Sequence, residues 1–347
     1  MGHISRLVLE NFTAFAQFDQ EFCEGVNVFI GENGTGKTHV LKVLYSSPDL
    51  FVFSDHITPN LLNFSKLFPT VRPENFRRHF SCDSESRTKI GIQWIDFLEN
   101  ITEAEIFYKG LITTPSLKEL HLHNNIPDSG RYNFIPTKEI LVNSPGFISL
   151  YANREISFDL TYPDILQRAN LPKLREIPSQ QRELMDRIKS VIGGDVIQRG
   201  EKFFIATSFG ELDFNLVAEG HRKLALLWLL LQNGSLAPGS ILFWDEPEAN
   251  LNPKLMRTLV EILLELQRQG VQIFLATHHY DVLRWLDLLK TDADKLRFFS
   301  LYNETGKDGV QVSVSDDYAG IQHDPTAQAG DALYDAVIEH ELRRSQP

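Results

Sequence analysis

The chain has 347 residues, 42% hydrophobic and 23% charged, a balance that can bury a core and excludes disorder as the general state. At roughly 150 residues per domain, that length fits two domains or one domain carrying a large insertion. Lys and Arg number 34 against 46 Asp and Glu, a net charge of −12, which excludes coating of nucleic acid by bulk charge and leaves only a local patch or a partner for such contact.

The amino terminus lacks the apolar stretch of a secretion signal. Its first residues alternate as a strand through Ile4, Leu7 and Leu9, followed by Phe12, Phe15, Phe18 and Phe22 in a hairpin-like pattern. These phenylalanines are expected in the core, the alternative being that one stacks on an adenine. A short apolar strand, residues 26–30, runs into a glycine-rich turn, and a helix is expected over 37–45, closed by Ser46, Ser47 and Pro48. Residues 50–150 mix short strand-like runs, including 89–95 and 105–109, with turn signals at 128–130, and read as a strand-rich lobe. Residues 163–202 read as helical, broken at Pro172, Pro178 and Gly193-Gly194. Within 168–202, eight basic and five acidic residues form a mildly basic stretch, read mainly as a solvated face and otherwise as a nucleic-acid or partner patch.

From Gly220 onward helices and strands alternate: a helix over 221–232, a strand over 241–244, a helix over 253–269 ended by Gly270, and a strand over 271–276. This order predicts an α/β fold with a parallel sheet covered on both faces. The apolar run 224–231 is far shorter than the roughly 18 residues of a membrane span and reads as a buried helix. A final amphipathic helix, 331–343, aligns Tyr334, Ile338 and Leu342 with Leu333 and Val337 beside them, a stripe expected to pack on its own body, the alternative being a docking helix. Cys23 and Cys82 stand far apart, without disulfide-scaffold or zinc spacing, which suits a reducing cytoplasm.

Two segments carry chemistry. Gly31-Glu32-Asn33-Gly34-Thr35-Gly36-Lys37-Thr38 fits G-x-x-x-x-G-K-[ST] between a strand and a helix. Its glycines let backbone N–H groups converge on phosphate oxygens, and the helix N-terminus adds positive partial charge. Gly31, Asn33, Gly34, Thr35, Gly36, Lys37, Thr38 and His39 form the expected cradle, in which Lys37 reaches the β- and γ-phosphates and the Thr38 hydroxyl ligates Mg²⁺. The second segment is the apolar strand ending in Asp245-Glu246. Asp245, at the C-terminal edge of a parallel sheet, can hold Mg²⁺, and Glu246 can polarise an attacking water. His278-His279 has no Cys or carboxylate cluster to make it a metal site, and His121 and His123 read as a solvated strand face.

The order of these segments resembles the ABC-type ATPases of the branch that includes SMC, RecF and the OLD-family nucleases. The resemblance lies in "LENFTAF…NVFIGENGTGKT", in "WDEPEANLNP" and in "ATHHYD", and it is nearest to stand-alone ATPase subunits of bacterial anti-phage systems such as Septu and PARIS. It implies an ABC-type P-loop head with a mixed β-rich and helical second lobe. A nucleotide-binding lobe, 1–45 plus 236–347, would be interrupted by an inserted lobe, 46–235. The implied ligands are ATP and Mg²⁺. Ala218, Glu219 and Gly220 correspond to the signature that meets the other subunit's γ-phosphate in a head-to-head dimer or higher oligomer. Asn250 to Asn252 correspond to the D-loop at that interface, and His278, rather than His279, to the switch histidine. Residues 135–139 correspond to a γ-phosphate-sensing strand end, with Gln93 the weaker candidate.

Ala218 replaces the signature serine and Glu219 a glycine, which implies slow turnover. With no long heptad region and about 70 residues after His278, the expected role is control of a separately encoded effector, such as a nuclease. The alternatives are a RecF-like ATPase that grips DNA itself, which the charge disfavours, and the ATPase half of a transporter, which the opening motif disfavours.

Overall fold

The structure, a computed structural model, describes residues 2–51, 67, 88–95, 101–108, 131–154 and 156–344. The readings on Cys82, His121, His123 and the 128–130 turn lie outside these residues.

β1 (His3–Phe12) and β2 (Phe15–Glu21) form the expected hairpin. They are followed by β3 (Val26–Gly31), α1 (Lys37–Phe51), β4 (Thr88–Ile95), β5 (Ile101–Tyr108) and β6 (Tyr132–Ile135). Next come α2 (Phe147–Asn153), α3 (Thr161–Ala169), α4 (Ser179–Ile192), β7 (Asp195–Arg199), β8 (Lys202–Thr207) and β9 (Gly210–Asp213). The remainder is α5 (Glu219–Gln232), β10 (Ile241–Asp245), α6 (Met256–Arg268), β11 (Gln272–Thr277), α7 (Tyr280–Leu289), β12 (Leu296–Tyr302), β13 (Gln311–Ser315) and α8 (Pro325–Arg344).

Among the described residues the central sheet has six strands in the order β13-β12-β3-β11-β10-β6, all parallel except the edge strand β13. β3, β6, β10 and β11 are buried along their whole length, as strands covered on both faces must be. Alternate residues feed two cores. Val26, Val28, Ile30, Leu242 and Trp244 face the core built with α3 to α7, while Phe29, Phe134, Phe243 and Phe274 face α1 and the β1–β2 hairpin. Phe12, Phe15, Phe18 and Phe22 all lie in this second core, at most 6% exposed. Among the described residues, no helix is long and apolar enough to cross a membrane.

The segment 46–235 is not one lobe inserted into this sheet. β4 and β5 complete a four-stranded antiparallel sheet, ordered β2-β1-β4-β5, with the amino-terminal hairpin, and β6 is itself an edge strand of the central sheet. The hydrogen-bond partners of these strands, not their position along the chain, decide where they belong.

Three other elements differ from the sequence reading. Helix α1 continues through Pro48 to Phe51. Proline removes the N–H that would reach Leu44 O, and the Ser47 hydroxyl donates to that carbonyl instead at 2.7 Å, while Ser46 donates to Val43 O at 2.9 Å. Residues 195–199 are strand, not helix, because Asp195 to Arg199 pair with Ala206 to Lys202. α8 leaves the body rather than packing on it: Leu333 and Tyr334 are each 67% exposed, and Val337 and Ile338 are exposed as well. Its root is fixed, since Asp324 accepts from Thr326 N, Thr326 Oγ1 and Ala327 N and also from the Tyr318 hydroxyl.

Candidate functional site

Because β3, β6, β10 and β11 run parallel, their C-terminal ends share one edge of the sheet. That edge gathers the glycine-rich loop after β3, residues 136–139 after β6, Glu246 to Asn252 after β10 and His278 after β11. Ligands of open α/β sheets bind at this edge.

The glycine-rich loop turns into α1 against the β1–β2 hairpin. Gly36 has φ +91°, and a Cβ there would lie 2.8 Å from Phe15 and 3.2 Å from Ala14, so this position takes no side chain. Thr35 is buried and its hydroxyl donates to Glu32 O at 2.9 Å, bracing the turn, while Asn33 and Gly34 are exposed at its crest. Lys37 folds back over the loop, and its ammonium donates to Gly31 O at 2.7 Å and Glu32 O at 2.9 Å. Burial lowers its pKa, opposed chiefly by Glu246 and Asp245.

Asp245 joins three of these segments. Its carboxylate accepts from Thr38 Oγ1 at 3.0 and 3.1 Å and from Thr137 Oγ1 at 3.0 Å. Burial raises its pKa, and the two threonine hydroxyls oppose that. Thr38 and Asp245 therefore stand side by side as hard oxygen donors, a set that suits Mg²⁺. Thr137 places the 135–139 strand end in the site. Gln93 lies elsewhere: in β4 it accepts from Ser5 Oγ at 2.8 Å and donates to Glu103.

Glu246 follows with φ +50°, a left-handed conformation that is uncommon for a side chain of this size, and Asn250 repeats it at +59°. The turn is held open by the Glu246 N–H bond to Ala276 O at 2.8 Å. His278 Nδ1 stands 3.2 Å from Glu246 Oε1. His279 points away and caps α7, its Nδ1 accepting from Asp281 N at 3.3 Å. His39, two residues past Lys37, is buried enough to drop its imidazole pKa to about 4, with a smaller repulsion from Lys42.

A stability change follows from His39. The unfolded chain takes up a proton near pH 6.5, whereas folded His39 resists it until about pH 4. Stability is thus full above pH 6.5, falls as pH drops toward 4, and levels off below. The loss is about 3 kcal/mol. His39→Asn is expected to flatten that part of the urea-midpoint curve measured between pH 7.5 and 4.

The signature-like residues sit at the start of α5. Ala218 is exposed at the N-cap and offers no side-chain cap. Glu219 accepts from Asn250 Nδ2 at 3.0 Å, and Gly220 packs so closely under the following turn that a Cβ would lie 2.8 Å from Leu251 and 3.2 Å from Asn250 O. Two basic residues of α5 extend this contact, and neither stood out in the sequence. Lys223, 2% exposed, donates to Ala249 O at 2.7 Å and Glu246 O at 3.3 Å. Arg222 pairs with buried Glu139 at 2.5 Å, and burial raises the Glu139 pKa despite that partner. The one sequence cue was a lysine opening the apolar run of a buried helix, where an ammonium needs acceptors. The basic stretch 168–202 is partly neutralised, since Arg187 pairs with Glu261, Lys189 with Asp195 and Arg199 with Glu211.

Comparison with known proteins agrees with this fold. The chain resembles the SMC head domain of Thermotoga maritima, with a TM-score of 0.52 at 14% identity over 90% of this chain and 98% of that one. An Smc head bound to the C-terminal winged-helix domain of ScpA gives 0.58 at 12% identity, over 91% of this chain and 98% of that one. These likenesses establish the fold. Shorter matches occur to the DNA replication and repair protein RecF. They are 34% identity over 68 residues in Actinobacillus succinogenes and 48% over 42 residues in Streptococcus suis. The aligned parts span 19% and 12% of those proteins, and 20% and 12% of this chain. Residues 26–284 match the family described as "AAA domain, putative AbiEii toxin, Type IV TA system". With its glycine-rich loop, acidic strand end and SMC-type head fold within that span, the chain belongs to this family of AAA-domain ATPases.

Proposed function

We propose that this chain binds Mg·ATP on the 31–39 loop, hydrolyses it slowly, and pairs head-to-head with a second copy through the sandwiched nucleotide. The observation that carries this reading is the meeting of Thr38 and Thr137 on Asp245, beside the Glu246–His278 pair. Lys37 exchanges the Gly31 and Glu32 carbonyls for β- and γ-phosphate oxygens, and the first N–H groups of α1 complete the cradle. Thr38 and Asp245 would hold Mg²⁺, which when bound offsets charge on the phosphates. Glu246 accepts a proton from the attacking water while His278 faces the γ-phosphate. Ala218, Glu219 and Gly220 present the N-terminus of α5 to the partner's nucleotide without a hydroxyl, which favours slow turnover and a lasting clamp.

On this reading the assembled heads regulate a separately encoded effector, a nuclease in anti-phage defence. A second reading, a RecF- or SMC-like ATPase acting directly on DNA, is favoured by the local RecF likeness. The net charge of −12 and the paired arginines of 168–202 weigh toward the first.

The test is the solution mass of Glu246→Gln with and without Mg·ATP. Slowed hydrolysis is expected to hold the dimer, so ATP should double the mass. An unchanged mass refutes the clamp. Salt-sensitive binding of duplex DNA by the purified chain at physiological ionic strength would favour the second reading.

A further inference from the structure

Glu248 stands three residues past Asp245 and has no part in the scheme above. Its side chain is only 3% exposed. A buried carboxylate needs most of its lone pairs filled. Oε1 accepts from Thr277 Oγ1 at 2.8 Å and, at 3.4 Å, from the backbone N–H of His278. Oε2 is buried and, among the described residues, has no hydrogen-bond partner. Lys223, the ammonium of the neighbouring helix, is already committed to the carbonyls of Ala249 and Glu246.

The side chain that can serve Glu248 is the imidazole of His278. Its Nδ1 lies 3.2 Å from Glu246 Oε1 and 3.9 Å from Glu248 Oε1. Both neighbours offer acceptor oxygens, so an N–H on Nδ1 is the ring donor that either could use. One N–H between two carboxylates can satisfy one at a time. The three groups differ in freedom. Glu248 is pinned by Thr277 and the backbone, while the His278 side chain is 49% exposed and has room to turn.

We propose that Glu248 is a positioning residue that serves as the alternative acceptor for His278, drawing Nδ1–H away from Glu246 so that Glu246 is free to face the attacking water. The shift required is about an ångström of ring movement, from 3.9 Å to hydrogen-bonding distance of Glu248 Oε1. The inference rests on Glu246 being the group that faces water.

The test is Glu248→Gln. Glutamine keeps an oxygen for Thr277 and the His278 N–H but removes the negative charge that would draw the ring N–H away from Glu246. The expected result is a fall in kcat of about tenfold to a hundredfold, with KM for ATP and Tm unchanged. In a His278→Ala background the same substitution should add nothing further. A normal kcat in Glu248→Gln, or losses that simply multiply with His278→Ala, overturns the inference. If Glu248→Gln fails to fold, Glu248→Asp decides: its withdrawn carboxylate should lower kcat with ATP binding intact, and an unchanged kcat overturns the inference. Glu246→Gln separates this from the underlying reading. If Glu246→Gln still hydrolyses ATP, that reading fails. If it is inactive while Glu248→Gln is normal, only the role of Glu248 fails.

Discussion

Replacing Lys37 with alanine is expected to weaken ATP binding by about a hundredfold to ten-thousandfold while leaving the fold intact. The ammonium would supply two charge-assisted hydrogen bonds to the phosphates, each worth about 1.5 to 3 kcal/mol. In the structure it holds only the carbonyls of Gly31 and Glu32, and Glu32 is exposed, so water can replace it there. The measurement is a titration with a fluorescent ATP analogue beside thermal melts without nucleotide. Binding within threefold of the wild type would mean that the loop does not hold phosphate through Lys37.

Lys223→Met is expected to act the other way, on the fold first. Its ammonium is buried against two carbonyls and lies within electrostatic reach of Glu219, Glu248, Glu246 and Glu139. Removing it leaves the carbonyls of Glu246 and Ala249 without this donor and takes one positive charge from among Glu219, Glu246, Glu248 and Glu139. The expected cost is about 3 to 5 kcal/mol. The turn that carries Glu246 in its left-handed conformation also loses its brace. Hydrolysis should therefore fall further than ATP binding in the fraction that stays folded. Urea unfolding and single-turnover hydrolysis measured on the same preparation distinguish these effects. An unchanged unfolding midpoint would show that Lys223 is not needed to hold the turn.

These two lysines mark what could and could not be seen in the sequence. Lys37 was legible because its chemistry is local: eight consecutive residues between a strand and a helix specify both the turn and the charge. The same holds for Asp245 and Glu246, which end an apolar strand. Lys223 and Glu248 were not legible, because their partners stand 23 to 30 residues away and meet them only when α5, β10 and β11 pack. Pro48 misled for the opposite reason. The rule that proline ends a helix is local, and a neighbouring serine hydroxyl met it with a local remedy. The stripe on α8 has the right period for packing, but period alone does not say which surface it meets, and none of the described residues covers Leu333, Tyr334, Val337 or Ile338.

The position of β3 has a consequence for how the protein is made. The strand that delivers the phosphate loop lies between β11 and β12, and both neighbours arrive more than 240 residues later. At roughly 5 to 20 residues per second, β3 waits about 12 to 50 seconds on the ribosome before either edge of its backbone can be paired. During that interval the β1–β2 hairpin can close, but Val26 to Ile30 remain an apolar strand with two open edges, the kind of segment that recruits foreign strands. The nascent chain therefore carries these open edges until β11 is made, and any ligand of the 31–39 loop could stabilise only chains whose synthesis has gone beyond that strand.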